Sequence, residues 1–146
     1  MTAIFPSIFQ TNERLIDKRI SVCDYYIANG ENLVPLEEST ILPNVSIIQT
    51  PGYSPSSCCY LYLNDRKRYL FVGHTLQNIY GNWQYDISKG SRSDLKESLQ
   101  LLALLEPDVV ISSVSINYSK YEKVSSKRWQ QIIEACRSRI DNGFYH

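Results

Sequence analysis

The stretch that decides the fold is Ser91–Ile111, SRSDLKESLQLLALLEPDVVI. Ser91, with Asp94 three residues on, is a capping-box-like helix start. Leu95, Leu99 and Leu102 then recur at helical spacing and build one apolar face, until Pro107 ends the helix by removing a backbone donor. Asp108 leads straight into Val109-Val110-Ile111, a β-branched run of buried-strand type. A helix that passes so directly to a buried strand predicts an α/β or α+β chain.

Downstream, Ser125 or Ser126 is placed to cap a second helix over about 126–141. Its Trp129, Ile132, Ile133, Cys136 and Ile140 share one stripe, and Gly143 follows its end. Upstream, the residues read as hairpins. Arg19 to Ala28 is β-branched and aromatic, Asn29-Gly30 offers a positive-φ turn pair, and Glu31 to Leu36 returns. Val45 to Thr50 is an apolar run cut off by Pro51-Gly52. Cys58 to Leu63 and Tyr69 to Val72 flank Asn64-Asp65-Arg66-Lys67-Arg68, the composition of an exposed turn whose basic triplet is read as solvated. Hairpins followed by helix, strand and helix predict a mixed sheet with helices packed on it.

At 146 residues the chain is expected to be a single domain, 1–146, with a core of its own. Fifteen Lys plus Arg balance fifteen Asp plus Glu, so the electrostatic footprint of a nucleic-acid or membrane-surface binder is missing. No apolar run reaches the ~18 residues of a membrane span, and Met1 to Ile20 lacks signal-peptide character, so a cytoplasmic location is expected. The sequons at Asn44 and Asn117 are discounted with it. Cys23, Cys58, Cys59 and Cys136 form neither a disulfide framework nor a CxxC pattern and read as reduced, buried thiols.

Four segments taken in order carry a resemblance: Gln49-Thr50-Pro51-Gly52-Tyr53-Ser54-Pro55, Leu70-Phe71-Val72-Gly73-His74-Thr75-Leu76, Ser91 to Leu105, and Val109 to Ser115. Their succession resembles the second half of a metallo-β-lactamase-fold hydrolase of the glyoxalase II-like kind, over about residues 20–115. That family shows a TPGH-like turn, a GDTL-like strand end, a helix with an SL-plus-LL pattern and a strand ending in PGHG. The resemblance implies half of a metallo-β-lactamase-like βα sandwich. It also implies that the ligand positions are lost: the turn histidine falls on Tyr53, the bridging aspartate on His74 and the last metal histidine on Val114. The HxHxDH motif of the family's first half is absent, since His74 and His146 are the only histidines.

The residues themselves agree. Tyr53 is a poor metal ligand at neutral pH, Val114 has no donor atom, and adjacent Cys58 and Cys59 on a strand point to opposite faces. A catalytic zinc needs about three protein ligands, so no metal and no other cofactor is expected. Tyr53, Ser54, His74, Thr75, Val114 and Ser115 are the candidate vestigial pocket, but they include no recognisable nucleophile, base and orienting acid, and no GxSxG elbow occurs. Gly73 is read as a sheet-packing glycine.

Half a sandwich leaves a sheet face to be covered by Met1 to Lys18, by the final helix, or by another molecule. Eleven tyrosines could serve such an interface or the chain's own strands. The Ser-rich stretch Ser112 to Ser126 reads as a connector, with a binding loop as the alternative. The leading expectation is therefore a non-catalytic metallo-β-lactamase-like domain acting through self-association or a protein partner. Two alternatives stand beside it: a small-molecule binder or repurposed enzyme using the pocket around His74, and one subunit of a split metal-dependent hydrolase.

Overall fold

The computed structural model describes residues 1–16 and 19–144; Lys18 and His146, invoked above, lie outside the described residues. The fold is mixed α/β with more strand than helix. The amino-terminal half supplies strands β1 (Thr2–Phe5), β2 (Ile8–Gln10), β3 (Arg14–Leu15), β4 (Ile20–Val22), β5 (Tyr25–Asn29) and β6 (Asn32–Pro35), then a 3-10 turn over Leu36–Ile41. Strands β7 (Val45–Gln49), β8 (Cys58–Asn64) and β9 (Lys67–Gly73) form a meander, followed by the small hairpin β10 (Gln77–Ile79) and β11 (Asn82–Gln84). Helix α1 (Arg92–Ala103), strands β12 (Val109–Ser112), β13 (Val114–Ile116) and β14 (Tyr121–Lys123), and helix α2 (Ser126–Asp141) complete the chain.

The strands form three sheets, ordered β14-β12-β9-β8-β7, β1-β2-β5-β6 and β11-β10-β13-β4-β3. In the first, β12 runs parallel to β9 and the other pairings are antiparallel, so the helix-to-strand handover at Pro107 delivers β12 back beside β9.

Alternation along these central strands separates two cores. Cys59, Leu70, Val72 and Val110 face α1 and α2, meeting Leu95, Leu99, Leu102, Trp129, Ile133 and Cys136. Tyr60, Tyr62, Tyr69, Phe71, Val109 and Ile111 face the other way, onto Ile8, Tyr25 and Ile27 of the amino-terminal sheet. Both faces of the central sheet are thus covered within the chain, one by helices and one by β2 and β5. Of the three covers open to the sequence, the leading segment supplies β2 and the final helix lies on the opposite face, while β5, not counted among those covers, completes the second face; these tyrosines pack inside the protein.

Capping fixes the helices. The Ser91 hydroxyl accepts from the Asp94 N–H and the Ser125 hydroxyl from the Arg128 N–H. The Trp129 indole donates to the Leu102 carbonyl at 2.9 Å and Gln130 to that of Ala103 at 2.8 Å, satisfying carbonyls at the end of α1 and locking the helices together.

Three readings need correction. The run Arg19 to Ala28 is two strands in different sheets: β4 pairs with β13, whereas β5 pairs with β2 and β6, because the chain switches sheets at Cys23-Asp24. In the β5–β6 hairpin Asn29 pairs with Asn32, so the turn pair is Gly30-Glu31, with φ positive at Gly30 alone. Two-residue turns with both φ values positive are Asp65-Arg66, between β8 and β9, and Tyr80-Gly81, between β10 and β11. Finally, Ser112 to Ser126 holds β13 and β14 and is neither a plain connector nor a free loop.

Candidate functional site

Two loops build the mouth. The first, between β7 and β8, is clamped by α1: Ser98 donates to the Pro51 carbonyl at 2.7 Å and the Ser91 N–H to that of Gly52 at 2.8 Å. A Cβ on Gly52 would lie 2.7 Å from the Leu95 Cβ, so the helix approaches this turn as closely as only glycine permits. The second loop ends β9. The Thr75 N–H closes a turn on the Val72 carbonyl at 2.9 Å, with Gly73 at φ +55°. A Cβ there would make only ordinary contact, so Gly73 is a turn-making glycine and not a packing one.

Tyr53 from the first loop and His74 from the second meet as stacked rings, centroids 5.1 Å apart and planes 20° from parallel. Tyr53 is 37% exposed and His74 is exposed. Loss of solvation, with the phenol ring lying against the imidazole, lowers the His74 pKa from its ordinary value, and the Asp24 carboxylate opposes that shift. Asp24 itself pairs with Arg14 at 3.4 Å.

Beneath the rings the loops are tied together by buried side chains. The Thr75 hydroxyl is 3.2 Å from that of Thr50, which also contacts the Cys59 thiol at 3.3 Å. Burial pushes that thiol up to about 12 against the hydrogen bonds from Thr50 and Thr75, so Cys59 stays protonated and is no nucleophile. The Ser54 hydroxyl bonds Ser57 at 2.8 Å within its own loop. Tyr53 and Ser54 line a cleft of about 360 Å³ with Asp86, Ser88 and Lys89.

Of the six candidate residues, Tyr53, Ser54, His74 and Thr75 come together. Val114 is buried on β13 opposite Val22, and the Ser115 hydroxyl is engaged by the Lys120 ammonium at 3.1 Å, in a different cleft. Ser112 does what sequence reading missed: its hydroxyl bonds the Leu76 carbonyl at 2.7 Å, reaches that of Gly73 at 3.1 Å, and accepts from the Val114 N–H. One serine within a Ser-rich stretch gives no signal of such a role.

Among the described residues no three His, Cys, Asp or Glu side chains come together to hold a metal ion. No helix among them is long and apolar enough to cross a membrane. No known protein family and no curated protein matches this chain.

Proposed function

We propose that this protein is a non-catalytic domain of metallo-β-lactamase-like descent that works by binding, and that the Tyr53–His74 mouth is where it binds. The observation that carries the reading is the stacked pair itself. The loop turn and the strand end, two of the segments that carry the sequence resemblance, converge as an aromatic and an imidazole ring, and among the described residues no three metal-binding side chains gather around them. A flat, half-exposed ring pair beside a cleft with an amine at Lys89 and a carboxylate at Asp86 suits a small planar polar ligand, which the rings would stack against and the rim would orient.

Association with a second body through a free sheet face has less support, because both faces of the central sheet are covered by the chain's own elements. The same covering lends less support to docking of a metal-bearing partner half on that sheet.

Thermal-shift screening of planar polar metabolites tests the proposal. A true ligand at a hundred times its Kd should stabilise the protein by ~2.7 kcal/mol, and Tyr53→Ala should abolish the shift. Silence across the library, or shifts that persist in Tyr53→Ala, would overturn it.

A further inference from the structure

A second cleft, of about 440 Å³, opens over the sheet that contains β4 and β13, lined by Glu13, Leu15, Arg19, Ser21, Ser115 and Tyr118 among others. Directly under three of these residues lies a buried cation. The Lys120 side chain is 1% exposed, and its ammonium donates to the Glu13 carboxylate at 2.6 Å, to Ser21 at 2.7 Å and to Ser115 at 3.1 Å. Ser21 and Ser115 are register partners across β4 and β13, so their hydroxyls stand side by side on one face, a fixed two-oxygen cradle for the ammonium.

The partners differ in how firmly they are held. The serines sit on paired strands, and Ser115 is 1% exposed. Glu13 comes from the irregular segment before β3, and its side chain is 53% exposed. A buried ammonium requires a counter-charge, and here that charge is supplied by the most exposed and least anchored member of the cluster. Arg19 adds a second cation to the rim, while Leu15 and Tyr118, both exposed, provide apolar surface.

We infer that this cleft is a carboxylate-binding site, in which Lys120 is the anchor and Glu13 is a built-in occupant that a ligand displaces. The ligand class follows from the occupant. A small organic carboxylate can take over the bond from the Lys120 ammonium, approach Arg19 with its second oxygen, and lay an apolar body on Leu15 and Tyr118. No covalent bond is made or broken, and the displaced Glu13 carboxylate returns to water at little cost, because its side chain is already half solvated.

The test is a nuclear magnetic resonance titration of the isotope-labelled full chain with benzoate, and with benzamide as the uncharged control. Benzoate should shift the amides of Ser21, Ser115 and Lys120 saturably, and benzamide should not. Glu13→Ala, by removing the competing carboxylate, should tighten benzoate at least ~5-fold, since apparent affinity scales with the fraction of open sites. Lys120→Met should abolish binding; should that variant fail to fold, the comparison of wild type with Glu13→Ala decides alone. Equal affinity in those two proteins, equal response to benzamide, shifts confined to other surfaces, or no binding to either would each overturn the inference.

Discussion

The Tyr25 phenol donates to the Ser112 carbonyl at 2.6 Å, tying the amino-terminal sheet to the end of β12, 87 residues later in the chain. Burial, reinforced by neighbouring Cys23, raises the Tyr25 pKa far above the ordinary phenol value, so the group remains a donor at every working pH. Tyr25→Phe keeps the packing against Phe71 and removes this bond together with the phenol's contact with the Cys23 thiol. It should cost about 1 kcal/mol and lower Tm by about 3 to 5 °C. Thermal unfolding checks it; an unchanged Tm would mean the two sheets are not coupled through this contact.

The turn holding Tyr53 depends on Gly90. A Cβ there would lie 1.8 Å from the Gly52 carbonyl oxygen, a backbone atom that cannot swing aside. Gly90→Ala must therefore push the Gly52 turn away from the start of α1, breaking the Ser91 N–H bond. The loss should exceed about 2 kcal/mol. The Tyr53–His74 stack should open with it, seen as altered His74 ring shifts. A variant as stable as the parent would contradict this close approach.

The His74 pKa carries a pH dependence with a definite sign. Because folding lowers it, the native state binds fewer protons than the unfolded chain. Stability is unaffected above the ordinary imidazole value of 6.5 and falls as pH drops from there through the lower folded value. His74→Gln should flatten that part of the stability profile. Tyr53→Ala, by exposing the ring, should return the titration midpoint towards 6.5. A midpoint that Tyr53→Ala leaves in place would show that the stack is not what desolvates the imidazole.

Asn78 on β10 is fully buried, and among the described residues neither amide atom finds a hydrogen-bond partner. An unmet buried amide is a cost, and an apolar residue of similar shape removes it, so Asn78→Leu should raise stability by about 1 kcal/mol. A fall in Tm of similar size would contradict this reading.

The parts of the fold legible in the sequence are those where local chemistry acts alone. Ser91 and Ser125 mark the helix starts, and Leu95, Leu99 and Trp129 mark the buried helix faces, because capping and 3.6-residue periodicity are short-range effects, whereas α1 ends at Ala103, short of the Pro107 stop read from the sequence. The sheet switch at Cys23-Asp24 was not legible, since nothing local to Arg19–Ala28 distinguishes one long strand from two strands paired with β13 and β2. Site residues divide the same way. Tyr53 and His74 stand at turn-forming glycines that motif order picks out. Ser21 and Ser115 are brought together under Lys120 by the β4–β13 pairing, which composition does not encode, and in sequence Lys120 is one lysine in a polar stretch.

The proposed binding mouth is built on the Tyr53–His74 stack, and no metal centre is expected there. Elemental analysis of untagged protein, prepared without chelators and dialysed against zinc, tests it most directly. The expected result is less than about a tenth of an equivalent of zinc, iron or manganese, because among the described residues no three donor side chains converge to hold an ion. Close to one equivalent, lost in His74→Ala, would contradict it.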